Sequence, residues 1–197
     1  MSQNVIDLNC PGCGARVNSI DKECRYCGGI IIVSSFNSIA SMLLPQLNKY
    51  VSSYKKTIES NPDEPEINFS LGACYLKLKL YDKAIESFEK SIDNNIENAE
   101  AYFYSAVCLL KGKKAFLADR LTIDRIEELI NVSLAVEPRG VFYYFWSYIK
   151  YDYYNRKYFN TTPNFQALLQ MSVENGVSEY DKEQLFELLL VPRPTAL

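Results

Sequence analysis

Residues 65–79 read PEINFSLGACYLKLK and residues 99–113 read AEAYFYSAVCLLKGK. Laid one on the other, they match at Glu66 and Glu100, Phe69 and Phe103, Cys74 and Cys108, Leu76 and Leu110, Lys77 and Lys111, and Lys79 and Lys113. Six identities in fifteen positions, where composition alone gives about one, mark an internal repeat with a period of 34 residues. Within each copy apolar residues recur at three- and four-residue steps, the pattern of a buried stripe on a helix. A repeat of this length holds two helices, and neither can bury its apolar face without a neighbouring copy.

The helical texture extends outward from these copies. It begins near Phe36 and is interrupted at Asn61-Pro62, Asn94-Asn95, Gly112 and Glu137-Pro138-Arg139-Gly140. Lys49 to Pro62 has the spacing of a second helix, and Val141 to Asn155 that of a first helix. Residues 34–48 fit neither and are expected to form a linker or short cap. The turn from Gly112 to Thr122 is longer than the repeat requires. After Pro163, Asn164 to Glu174 is helix-compatible. Ser178 with Asp181 has the form of a capping box, opening a helix that ends before Pro192. Leu185, Phe186, Leu188, Leu189 and Leu190 are too apolar to face water and are expected to cover the end of the array. The tail from Val191 to Leu197 is expected to be extended and mobile.

Six cysteines fall into two groups. The first four form two CxxCG knuckles, Cys10-Pro11-Gly12-Cys13-Gly14 and Cys24-Arg25-Tyr26-Cys27-Gly28. A two-residue gap lets both thiolates of a knuckle point to one side of a tight turn, and the following glycine supplies the positive φ that closes it. Four thiolates arranged this way suit a tetrahedral metal, one structural zinc per chain, with iron the alternative. Disulfide pairing and a dithiol redox site are the competing readings; the first conflicts with a reducing compartment, and the second needs only one knuckle. Val5-Ile6-Asp7-Leu8 and Ile30-Ile31-Ile32-Val33 are β-prone runs flanking the knuckles, expected to pair around the metal. Cys74 and Cys108 share one repeat position and read as packing groups.

Two resemblances follow from these residues. Residues 8 to 30 resemble the short bacterial zinc-ribbon family. The 34-residue repeat resembles the tetratricopeptide family: Leu71, Gly72, Tyr75, Ala84 and Phe88 stand where that family places its packing residues, while Asn68, Ser91 and Ile96 depart from it. Together they imply a mainly α fold: a tetratricopeptide-like solenoid of helical hairpins, two to three repeats long, with a small N-terminal β zinc ribbon and C-terminal capping helices. The expected domains are the ribbon at 1–33, the linker or cap at 34–48, the repeats at 49–160, and the helical cap with its tail at 161–197. In the tetratricopeptide family the second, fifth, ninth, twelfth and thirteenth positions of each first helix line a concave surface. Here these are Glu66, Phe69, Ala73, Leu76 and Lys77, then Glu100, Phe103, Val107, Leu110 and Lys111, then Phe142, Phe145, Ile149, Asp152 and Tyr153. The resemblance thus implies an apolar groove that holds a helix or peptide of another protein.

Composition narrows the remaining choices. The chain has 197 residues, of which 48% are hydrophobic and 23% charged, as in ordinary globular proteins. A net charge of −3 argues against nucleic acid and anionic membranes as partners. No apolar run spans a bilayer, and the opening residues have no signal-peptide pattern, so a cytoplasmic protein is expected. Histidine is absent, which removes the catalytic arrangements built on imidazole. Phosphate loops, nucleotide-binding glycine fingerprints and nucleophile elbows are missing too, so no enzyme is expected. Eleven of the eighteen residues from Phe142 to Phe159 are aromatic, which reads as packing rather than as a platform for bases. Glu127 and Glu128 read as surface residues. An alternative function, a nucleic-acid accessory module, would use the ribbon together with Lys111, Lys113 and Lys114.

Overall fold

A computed structural model describes residues 5–39 and 41–197. The first four residues of the expected ribbon and Ala40 of the expected linker lie outside the described residues. Two short strands, β1 (Asp7–Asn9) and β2 (Arg16–Asn18), precede eight helices: α1 (Leu44–Ser60), α2 (Pro65–Lys77), α3 (Tyr81–Asn94), α4 (Ala99–Leu109), α5 (Arg120–Val136), α6 (Gly140–Ile149), α7 (Phe165–Glu174) and α8 (Glu179–Leu189). The fold is mainly α and tetratricopeptide-like, with a small N-terminal sheet. No described helix is long and apolar enough to cross a membrane. The chain divides into two compact units, residues 1–96 and 97–197. The ribbon residues and the helices up to residue 96 fall in the same unit.

In the first unit, β1 and β2 pair antiparallel with Leu8 opposite Val17. The expected pairing of Val5–Leu8 with Ile30–Val33 does not occur; Ile30 makes only an isolated bridge to Glu23. Ile31 and Val33 are fully buried instead. Tyr54 donates its hydroxyl hydrogen to the Ile31 carbonyl at 2.9 Å, and the Val33 N–H donates to Ser70 Oγ at 2.9 Å. The β-branched run is therefore drawn onto the helices, where burial stabilises it more than an exposed edge would. Helix α1 starts five residues before the expected Lys49, at the end of the supposed linker. Pro45 fits its first turn, where no N–H partner is needed, and the Gln46 side chain accepts the Leu43 N–H at 3.1 Å. Leu47, Tyr50, Tyr54 and Thr57 form its buried stripe.

Helices α2 and α3 make the first hairpin, closed at Lys79 with φ +61°. A Cβ on Gly72 would come within 2.7 Å of the Phe88 ring, so glycine sets how closely the two helices approach. Phe69 lies against the same ring at 5.5 Å. Asn68, at a position where the family places an aromatic, donates from its side-chain amide to the Pro62 and Glu64 carbonyls at 2.8 and 3.0 Å. It ties α2 to the turn before it.

In the second unit the Asn98 side chain caps α4 and the Asp119 side chain caps α5. The turn between them carries a single 3-10 turn, Ala115–Leu117. Helix α6 runs on into a π turn, Lys150–Tyr154, and a 3-10 turn, Asn155–Lys157. Its partner is α7, which makes a third hairpin of a segment expected to be part of the cap. The Gly140 N–H donates to the Asn175 carbonyl at 3.2 Å, and a Cβ there would fall 2.4 Å from the Val177 nitrogen. Ser178 and Asp181 form the capping box of α8. Phe186 stands edge-on to Tyr144 and Tyr148, with ring centres 6.2 and 5.4 Å away. The tail expected to be mobile is seated. Leu197 is buried, its carbonyl oxygen accepting from Tyr144 Oη at 3.0 Å and from Arg193 at 2.7 Å.

The two glycines yield a graded expectation. Gly72→Ala meets a side chain that can shift, at a cost of about 1–3 kcal/mol, the range for an overpacked core. Gly140→Ala meets three backbone atoms within 3 Å and is expected to cost more. Urea unfolding followed by circular dichroism measures both, and equal stabilities for native protein and Gly140→Ala would refute the close α6–α7 approach.

Candidate metal centre and partner surface

The two knuckles are the same turn built twice. In the first, the Gly14 N–H donates to the Cys10 carbonyl and the Cys10 N–H to the Ala15 carbonyl, both at 2.8 Å. In the second, the Gly28 N–H donates to the Cys24 carbonyl and the Cys24 N–H to the Gly29 carbonyl, again at 2.8 Å. Gly14 and Gly28 take φ of +80° and +68°, values at which a side chain would strain the backbone. No disulfide joins any of the six cysteines. The Sγ atoms of Cys10, Cys13, Cys24 and Cys27 lie within 4.8 Å of one another. Cys10 to Cys27 and Cys13 to Cys24 are each 3.7 Å. Zinc–sulfur bonds of about 2.3 Å at the centre of a tetrahedron separate the sulfurs by about 3.8 Å, so the four residues fit a metal ion of that kind.

Backbone amides also point at the sulfurs. Although burial opposes its ionisation, Cys24 is brought down to about 7 by amides of Tyr26 and Cys27 and by the neighbouring thiols. Against the Gly29 amide, which favours its thiolate, Cys27 is pushed up to about 12, because Cys13, burial, Cys10 and Cys24 together keep it protonated. Thiols that cannot all ionise beside one another are the setting in which a divalent cation displaces protons. Four sulfurs around one ion would leave no open position for a substrate.

Tyr50 on α1 completes the surroundings. A Cβ on Gly29 would lie 3.2 Å from Tyr50 Oη and 3.3 Å from Cys27 Sγ, and one on Gly12 would lie 3.8 Å from the same hydroxyl. The phenol thus stands beside both knuckles, with close quarters at Gly29 and ordinary contact distances at Gly12. Burial, then the charge of Cys10 and Cys27, pushes it up to about 12. One turn on, Ser53 donates to the Asn9 carbonyl at 2.9 Å. Sequence reading missed Tyr50; its signal is the run Tyr50, Ser53, Tyr54, which puts three hydroxyls on one helix face.

The positions assigned to a concave groove are placed differently. In the first unit Phe69, Ala73 and Leu76 are buried, Lys77 is half-buried and Glu66 is exposed. In the second, Phe103, Val107, Leu110, Phe142, Phe145, Ile149 and Tyr153 are buried and Lys111 is exposed. Phe103 stacks on Phe142 at 4.6 Å and meets Phe145 edge-on at 5.7 Å. The phenylalanines expected to face a partner are interior packing, since rings this large bury one another when adjacent helices both carry them. Glu100 pairs with Arg139. Asp152 is 2% exposed; it accepts the Phe116 N–H at 2.8 Å and Arg156 at 2.6 Å, which holds the long turn before α5. Glu127, expected on the surface, accepts from Lys150 at 2.5 Å, Trp146 at 2.8 Å and Tyr154 at 2.7 Å. Lys150 is buried over the Tyr154 ring.

Among known families, a tetratricopeptide-repeat model matches residues 53–86, from the second half of α1 through α2 into α3. No curated protein matches the chain.

Metal analysis of the purified chain is expected to find one zinc or iron per molecule. Tyr50→Phe should retain the ion yet lose it faster to a chelator, by about tenfold, as for other groups around a metal's ligands. Cys13→Ser should lower the melting temperature of the first unit, helices included, because ribbon and α1 share Tyr50, Ser53 and Tyr54. An unchanged helical transition would show that the two fold separately.

Proposed function

We propose that the chain is a non-enzymatic cytoplasmic adaptor that binds another protein through its tetratricopeptide-like hairpins, with a structural zinc ion on Cys10, Cys13, Cys24 and Cys27. The observation that carries this reading is the match of a tetratricopeptide repeat to residues 53–86, in helices packed as hairpins. Repeats of this kind commonly bind proteins. A closed sulfur site and buried charges satisfied by one another, as Glu127 is by Lys150, suit a scaffold rather than a catalyst. At the concave-surface positions, the accessible groups Glu66, Lys77 and Lys111 are assigned to partner contact. Phe69, Phe103, Phe142 and Phe145 are assigned to holding the helices in place.

Affinity capture with the tagged, metal-loaded chain in its native host, followed by mass spectrometry, tests this. A specific protein recovered after nuclease treatment is the expected result. Recovery that disappears with nuclease would replace the adaptor with a nucleic-acid module using the ribbon, Lys111, Lys113 and Lys114. Lys77→Glu with Lys111→Glu should reduce capture by a chain that circular dichroism shows to be folded. Phe103→Ala should cost about 3–5 kcal/mol of stability, as for other buried phenylalanines, and urea titration measures it.

A further inference from the structure

Within the first unit a cleft of about 520 Å³ separates the ribbon from α1. One wall is β1 and the first knuckle, with Arg16 from β2; the other is the polar face of α1, with Lys49, Ser52, Lys56 and Ser60. Three cations line it against one carboxylate, Asp7. Its apolar members, Leu8, Cys10 and Pro11, are buried, so an occupant meets charge, hydroxyls and backbone.

The backbone is the unusual part. The Ser19 N–H donates to the Ile6 carbonyl and the Cys10 N–H to the Ala15 carbonyl. These bonds fix residues 6, 8 and 10 as the ones facing β2. In an antiparallel pair the alternate residues then direct their N–H and C=O groups outward. Asp7 and Asn9 therefore present the free edge of β1 to the cleft. Ser53 takes up one group of that edge, the Asn9 carbonyl. The Asp7 N–H, Asp7 carbonyl and Asn9 N–H make no hydrogen bond among the described residues. Donors and an acceptor at strand spacing, beside a row of cations, match one kind of ligand.

We infer that this cleft holds an extended acidic segment of a protein partner, which pairs with β1 as an added strand while its carboxylates meet Lys49, Lys56 and Arg16. A strand satisfies both the donors and the acceptor of the edge, whereas a DNA backbone offers acceptors only, and the lining has no aromatic ring for a base of DNA or RNA to stack on. A zinc ion on four thiolates leaves about two negative charges at the Cys10 end. The acidic side chains are accordingly drawn toward Lys56, six residues along α1 from Tyr50. This assignment rests on the adaptor reading and names a surface and a partner chemistry for it.

The test uses the full metal-loaded chain and a fluorescein-labelled peptide of alternating glutamate and valine, ten residues long, read by anisotropy and by amide shifts in ¹⁵N spectra. Saturable binding with shifts at Asp7 and Asn9 is expected, while the lysine–valine peptide, a thymidine oligonucleotide and inorganic phosphate bind far more weakly. Lys49→Glu with Lys56→Glu leaves one cation against three carboxylates and should weaken the acidic peptide at least about tenfold. Asp7→Pro separates pairing from charge. It removes an outward N–H, a loss tolerated on an edge strand, together with the one carboxylate of the lining. Attraction by charge alone predicts tighter binding, whereas strand pairing predicts about threefold weaker binding, with Asp7→Asn as the charge control. No binding of the acidic peptide, binding unaffected by the lysine reversals, tighter binding by Asp7→Pro, or preference for the oligonucleotide overturns the assignment. If the captured partners are retained by the lysine-reversed chain, the cleft falls and the adaptor stands. If the native chain captures no partner but binds the acidic peptide at Asp7 and Asn9, the adaptor falls and the cleft stands.

Discussion

Three hydroxyls on one face of α1 join the ribbon to the helices. Tyr50 reaches the thiolates, Ser53 the Asn9 carbonyl and Tyr54 the Ile31 carbonyl. A ribbon of this size has too little apolar surface to hold itself together, and an ion on its four sulfurs would add to its stability. The helix face closes what the metal begins. Ile31 and Val33 gain burial they could not find within a two-stranded sheet, and α1 gains partners for polar groups that would otherwise interrupt its buried stripe. The metal centre thus belongs to the first hairpins as much as to the ribbon.

The second unit solves a related problem with buried charge. Asp152 lies in the π turn that ends α6, and its carboxylate takes the Phe116 N–H of the long turn between α4 and α5. Glu127 on α5 gathers Lys150, Trp146 and Tyr154 from the same region. Removing one partner of such a set leaves an uncompensated charge in a dry place, so these contacts specify one arrangement as well as stabilising it. A π turn, which displaces side chains from regular helical register, brings Lys150 and Tyr154 to one carboxylate while Asp152 faces another element.

Much of this was legible from the chain alone. The period of 34 residues located the starts of α2 and α4, and Ser178 with Asp181 located the start of α8, because a helix cap is decided by residues four apart or fewer. The knuckle spacing identified the four sulfurs. Long-range choices were less visible. Ile30 to Val33 has the composition of a strand, and only the presence of α1 and α2 beside it makes burial the better outcome. Phe103 occupies a position that faces outward in the family, but Phe142 and Phe145 arrive from another helix to cover it. Leu197 has nothing in its local sequence to predict that Tyr144 and Arg193 would hold it.

The order in which the chain is made gives the contact between α1 and the knuckles a further meaning. Synthesis proceeds from the N-terminus at about 5–20 residues per second, so all four cysteines are complete before Tyr50 exists. An ion arriving at that stage would meet the four thiols before any helix stands beside them, and α1 packs against the knuckles only once it has formed. A chain made while the metal is scarce would form that contact beside an empty site whose Cys13 and Cys27 thiols stay exposed, so a late-arriving ion could reach them without α1 unfolding.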